Sequence, residues 1–167
     1  MEEMKKIPSR DQIHMEDKWA TEDMYPSDEA WEAELATVAE DQAFLAAFAG
    51  KLADAPENLY DYLQRFEALD VKANLLGNYC MRKADQDTRE ATYQAMVGKF
   101  MSVVVGLSAA TSFETPEIMA ITDETLDGFY AAYPARERYR RYLTNLRRRK
   151  EHVLSPAEEK LLAAAGE

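Results

Sequence analysis

The sequence predicts an all-α protein: a helical bundle built around a long antiparallel helical hairpin and followed by shorter helices. Two apolar runs carry that expectation. Leu59, Tyr62, Phe66, Leu69, Ala73, Leu76 and Cys80 recur in steps of three and four, and Tyr93, Met96, Phe100, Val103, Leu107 and Ala110 repeat the pattern. That step returns side chains to one face of a helix. The third observation is compositional: only six Gly and six Pro occur among 167 residues, and no alternation is long enough to defend a strand.

Taken in order, residues 1–26 lack helical periodicity, carry Pro8 and Pro26, and are expected to form an extended arm held down by Ile13, Trp19 and Tyr25. Ser27 is placed to cap a first helix over about 28–49, with Asp28 and Glu29 favoured in its first turn by the helix dipole. Trp31, Leu35, Val38, Leu45 and Phe48 form its apolar face, and Gly50 stands where a left-handed terminator is wanted. The hairpin follows, with Pro56 in the first turn of one arm and a polar connection at Ala84-Asp85-Gln86. Asp87 and Glu90 have capping-box spacing ahead of the second arm.

Val97 and Val104 widen the third helix beyond a two-helix seam, so a further helix, the first being the candidate, is expected to cover it. These three helices make up 27–114. From 115 to 167 the pattern breaks into short helices, each with its own start signal at Thr115-Pro116, Thr122, Pro134 and Ser155-Pro156. Tyr139, Tyr142, Leu143 and Leu146 are expected on one side of the helix after Pro134, and a last helix over about 156–165.

A chain of this length buries roughly 70% of its unfolded surface, enough for one core, so 1–167 is read as a single helical domain. The net charge of -11 and pI near 4.7 oppose general attraction to phosphate backbones or anionic lipids, and no nucleic-acid or membrane partner is expected. Lys5, Lys6 and Arg10 have no apolar run behind them, which argues against a leader peptide. No 18-residue apolar segment stands out, so no membrane-spanning helix is expected. A lone cysteine, Cys80, has no internal disulfide partner, which suits a reducing cytoplasm.

Candidate chemistry is sparse. The only histidines, His14 and His152, do not begin an HExxH helix, the pattern in which two histidines one turn apart bind zinc beside a glutamate acting on its water. Asp11 and His14 have carboxylate-to-histidine spacing but no second such pair. Cys80 falls on the hairpin seam and reads as a small buried apolar group, although Arg82 and Lys83 lie nearby. Arg136, Arg138, Arg140, Arg141, Arg147, Arg148, Arg149 and Lys150 outnumber Glu137 and Glu151 within 16 residues, a local charge of +6 that leaves -17 elsewhere. Interleaved tyrosines make a nucleic-acid surface conceivable, but salt-bridged packing is the reading preferred for such a charge run. No catalytic, cofactor-binding or metal-binding residue is assigned.

One stretch carries more than its periodicity. Arg10-Asp-Gln-Ile-His-Met-Glu-Asp-Lys-Trp-Ala-Thr-Glu-Asp-Met-Tyr-Pro-Ser-Asp-Glu-Ala-Trp31, with Arg10, Ile13, Trp19, Asp23, Tyr25 and Trp31 as its landmarks, resembles the opening of oligoendopeptidase F, of the thimet-type zinc oligopeptidases. The likeness continues to Leu154-Ser-Pro-Ala-Glu-Glu-Lys-Leu-Leu-Ala-Ala-Ala-Gly-Glu167. It implies the N-terminal, non-catalytic region of a cytoplasmic zinc metalloendopeptidase that hydrolyses short peptides, with zinc held by a catalytic region of the same polypeptide. The present residues would then wall or cover a substrate channel and limit substrate size. The rival reading is a stand-alone helical scaffold that binds another protein.

Overall fold

The computed structural model describes Pro8 and residues 12–149. Among the described residues six α-helices follow one another: α1 (Asp28–Ala46), α2 (Pro56–Gln86), α3 (Ala91–Thr111), α4 (Glu114–Ala120), α5 (Asp123–Ala132) and α6 (Arg140–Arg148), with short 3-10 turns at Met15–Asp17, Thr21–Asp23 and Pro134–Tyr139. No strand occurs among the described residues, and the all-α expectation holds. Two compact units divide the chain, one of residues 1–43 and 66–109, the other of 44–65 and 110–167. The expected last helix over 156–165 lies outside the described residues.

Several local signals act as anticipated. The Ser27 hydroxyl accepts the Ala30 amide at 3.2 Å, Thr122 accepts the Thr125 amide at 3.1 Å, and Pro56 opens α2 at a position where its missing N–H costs nothing. Gly50 has φ of 77°, a conformation only glycine adopts freely. Helix α1 nevertheless stops at Ala46, short of 49. Its amides at Ala47, Phe48 and Ala49 bond the carbonyls of Phe44, Leu45 and Ala46, a tightening that satisfies end carbonyls outside the α-helical ladder.

Two further boundaries differ. Ala84, Asp85 and Gln86 are the last turn of α2, so at about 1.5 Å per residue this helix runs about 46 Å and α3 about 31 Å. The Asp87–Glu90 capping box does not form: Asp87 spends its carboxylate on the Arg89 amide and guanidinium, while Glu90 itself accepts the Thr92 amide at 3.2 Å. The arm, where described, is turned. Trp19 is 53% exposed with the Arg82 guanidinium 4.6 Å from its ring centroid; Ile13 and Tyr25 are half-buried.

In the first unit, α1 ties α2 and α3 together. The buried Trp31 indole donates to the Leu76 carbonyl at 2.8 Å, the Tyr79 hydroxyl donates to Asp28 at 2.7 Å, and Lys72 pairs with buried Asp41 at 2.7 Å. On α3, the Val103 carbonyl receives the Gln42 amide at 3.0 Å and Lys99 pairs with Glu32. The first helix therefore supports the third, with Val97 and Val104 half-buried. Leu69, Leu76 and Cys80 of the α2 run are buried here and Ala73 half-buried; on α3 only Met96 and Phe100 are buried, with Tyr93, Val103 and Leu107 half-buried.

The same α3 contains what the sequence reading overlooked. Within Ala91–Ala120 an 18-residue window reaches a mean hydropathy of 1.4, long and apolar enough to cross a membrane by length and composition, yet only 11% of it is buried. Ser102, Ser108 and Lys99 interrupt the run, while the valines, leucine and alanines around them keep its average high.

Two glycines on these helices have opposite surroundings. A Cβ on Gly77 would come 2.7 Å from the Phe100 ring, whereas one on Gly98 would meet nothing within 4 Å. Gly77→Ala should therefore destabilise by about 1–3 kcal/mol through overpacking, and Gly98→Ala should stabilise by roughly 0.5–1 kcal/mol through helix propensity. Urea unfolding of the two variants checks this; midpoints moving in the same direction would remove the ring-on-glycine contact as a constraint.

Candidate functional site

The most concentrated polar chemistry lies in the second unit, where Leu45, Leu52, Leu59, Tyr60, Ile118 and Leu143 are fully buried. The first residue of α4, Glu114, is 6% exposed. One of its carboxylate oxygens accepts the Tyr62 hydroxyl at 3.0 Å and the other the Tyr142 hydroxyl at 2.5 Å. A buried carboxylate is tolerable only with such donors. Burial first, then the Glu114 charge and its hydrogen bond, raises the Tyr62 phenol far above its usual value; burial, then the bond to Glu114, does the same at Tyr142.

One turn on, Glu117 accepts the amides of Gly50 at 2.5 Å and Leu52 at 3.3 Å, fastening the loop after α1 to α4. With both oxygens of each glutamate engaged by the protein itself, this cluster holds structure and presents no free acid or base. Sequence reasoning missed it because Tyr62 and Tyr142 stand far from Glu114 along the chain, and 31 acidic residues offer no means to single one out.

The arginine run is placed by α6 and the turn before it. Arg147 pairs with Asp123 at 2.6 Å and donates to the Ile121 carbonyl at 2.8 Å. Arg140 lies 4.1 Å above the Tyr130 ring and 3.2 Å from Glu137, and Arg138 covers Tyr139. Arg141, Arg148 and Arg149 are exposed; the Arg136 side chain and Lys150 lie outside the described residues. Asp123, Tyr130, Arg140, Thr144, Arg147 and Arg148 line a groove of about 760 Å³. Of the expected apolar side, Leu143 is buried and Leu146 and Tyr139 half-buried, while Tyr142 is 41% exposed and reaches inward only by its hydroxyl. Three of the arginines are thus spent on packing and ion pairs within their own unit.

Cys80 is fully buried, its thiol 3.4 Å from the Gly77 carbonyl, and burial pushes it up to about 11. Arg82 stacks on Trp19 and Lys83 lies over Tyr79 and Tyr93, so neither cation serves the thiol. His14 is exposed ahead of the Met15–Asp17 turn; Asp11 and His152 lie outside the described residues. Among the described residues no three of His, Cys, Asp and Glu gather as a metal would require. Among the described residues, then, no side chains are assembled as a catalytic zinc would need, with three protein ligands and an open position.

Comparison with known proteins gives a consistent likeness. The family profile described as Oligopeptidase F matches residues 117–167. Oligopeptidase PepF of Bacillus subtilis is 34% identical over 96% of this chain and 24% of its own length. The plasmid oligoendopeptidase F of Lactococcus lactis subsp. cremoris is 31% identical over 95% of this chain and 27% of its length. Among solved structures, oligoendopeptidase-F from Enterococcus faecium aligns with a TM-score of 0.70 at 26% identity, covering 84% of this chain and 28% of that one. A putative peptidase from Chlamydophila abortus shares the fold with a TM-score of 0.80 at 24% identity, covering 96% and 27%. The chain spans about a quarter of the length of the curated relatives it matches.

The Glu114 cluster makes a prediction about stability and pH. Both phenols hold their proton more tightly when folded, so their contribution is intact below the unfolded tyrosine value near pH 10 and is lost as pH rises beyond it. Tyr62→Phe should cost about 1–3 kcal/mol at neutral pH, since it strips a donor from a buried carboxylate, and should make the alkaline loss shallower. Urea midpoints at neutral and alkaline pH test both; a Tyr62→Phe profile parallel to the native one would contradict the assignment.

Proposed function

We propose, for a chain that belongs to the oligoendopeptidase F family and matches its members along a quarter of their length, that it is the N-terminal, non-catalytic domain of a zinc metalloendopeptidase acting on short peptides. The observation that carries this reading is a contrast in coverage: peptidases align with 95–96% of these residues while most of each peptidase lies elsewhere. The chemistry agrees, because the two histidines of this chain begin no HExxH helix and the best-defined carboxylates bind their own fold. The zinc ligands and the activated water then belong to a catalytic region of the same polypeptide, working in the cytoplasm.

In this reading residues 1–167 act sterically, as one helical domain. Long helices such as the 31-residue α2 suit a wall or cover over a substrate channel: a rigid element excludes bulky folded chains and admits flexible oligopeptides. The scaffold alternative differs in one requirement, a chain that functions with no peptidase attached.

Two measurements follow. The purified 167-residue chain supplied with zinc should hydrolyse a quenched peptide no faster than zinc alone; zinc-dependent turnover by this chain would overturn the reading. In the longer enzyme, a folded variant lacking 57–114 should cleave long unfolded chains better relative to short peptides. An unchanged ratio would leave size selection without a basis in this region.

A further inference from the structure

The outward side of α3 is the largest feature left without a role. At 100° per residue, Ala95, Gly98, Met101, Ser102, Val105 and Ala109 fall on one side of this helix, opposite Met96, Phe100 and Leu107. All six are exposed, Met101 at 46% and Val105 at 66%. From Ala91 to Thr111 the only charge is Lys99, which pairs with Glu32. The strip from Ala95 to Ala109 is about 20 Å long and uncharged, on a chain where 31% of residues are charged.

Gly98 sharpens the point. A mid-helix glycine costs roughly 1 kcal/mol against alanine, and inside this unit nothing approaches within 4 Å to require it. Small residues in the middle of an apolar strip let another backbone come close. Met101 and Val105, one and two turns beyond Gly98 along the strip, supply the apolar contact.

We propose that this α3 face is the seat of the remainder of the longer polypeptide, an apolar, uncharged surface of the catalytic region packed closely over Gly98. The inference rests on the reading above. The choice of occupant follows from length: in each of these relatives about three quarters of the polypeptide lies outside the part matched here, and a contiguous exposed apolar strip is the kind of surface an interface covers. A second copy of the chain or a bilayer is the competing occupant.

Cysteine accessibility decides among them. Val105→Cys and Ala95→Cys add one exposed thiol each, while native Cys80 stays buried. In the 167-residue chain each new thiol should react with a maleimide within a few-fold of its rate in denaturant; in the longer enzyme it should react at least about tenfold more slowly. Equal rates in the two folded forms overturn the proposal. So does protection of the short chain that vanishes on dilution, which assigns the face to a second copy, or protection that appears only with lipid vesicles, which assigns it to a membrane. Peptidase activity of the longer enzyme separates the two levels: activity with unprotected thiols sinks the docking face alone, and a longer chain without activity, or the lack of any longer chain, sinks both.

Discussion

The first unit depends on what happens at two consecutive residues of α2. The Leu76 carbonyl receives the Trp31 indole N–H, which lets the largest side chain of α1 be fully buried with its one polar group satisfied. Gly77 then leaves out a side chain where the Phe100 ring of α3 comes to rest. Because these residues are adjacent, α1 and α3 are fixed to α2 at one level. One turn on, the bond from Tyr79 to Asp28 resists rotation about that level, and Cys80 fills the small space that remains. The seating of Phe100 also decides which side of α3 faces inward, and so which side stays bare.

The second unit is held by a different device. Its apolar core is stitched by two glutamates one turn apart on α4, Glu114 receiving two phenols and Glu117 two backbone amides of the loop at Gly50 and Leu52. Gly50 serves twice here: its positive φ ends the first helical run, and its N–H donates to Glu117. Directional bonds of this kind fix loop and helix more narrowly than apolar contact alone, and leaving a partner out is costly in a buried setting. The price in chemistry is that these carboxylates are unavailable for anything else.

Local signals were legible in the sequence and tertiary ones were not. Ser27, Gly50, Pro56 and Thr122 act through backbone groups a few residues away, so their roles can be read from spacing. The helix ends at Ala46 and Gln86 depend on competition among nearby hydrogen-bond patterns, which residue types do not resolve. Trp19 is among the residues expected to hold the arm down, and it is 53% exposed with Arg82 on its face, a pairing across more than 60 residues that no periodicity announces. The Glu114 cluster is hidden for the same reason. The bare face of α3 was obscured by average character: its inward residues are conventional core, and its outward residues are small enough to pass as neutral.

The arginines of α6 and the strip on α3 show how composition misleads in opposite directions. A run with a local charge of +6 looks like an anion-binding surface, but Asp123, Glu137, the Ile121 carbonyl and the rings of Tyr130 and Tyr139 absorb Arg138, Arg140 and Arg147 within the same unit. Its strongest features are consumed internally. The α3 strip looks like ordinary core, yet within its unit the Gln42 and Lys99 bonds and the Phe100 contact all fall away from the Gly98 side. A charge is readily satisfied by one or two partners inside its own unit, whereas apolar area can be satisfied only by something of matching extent. Beside relatives about four times this length, that asymmetry is what singles out the uncharged helix face, and not the arginine run, as the candidate contact surface.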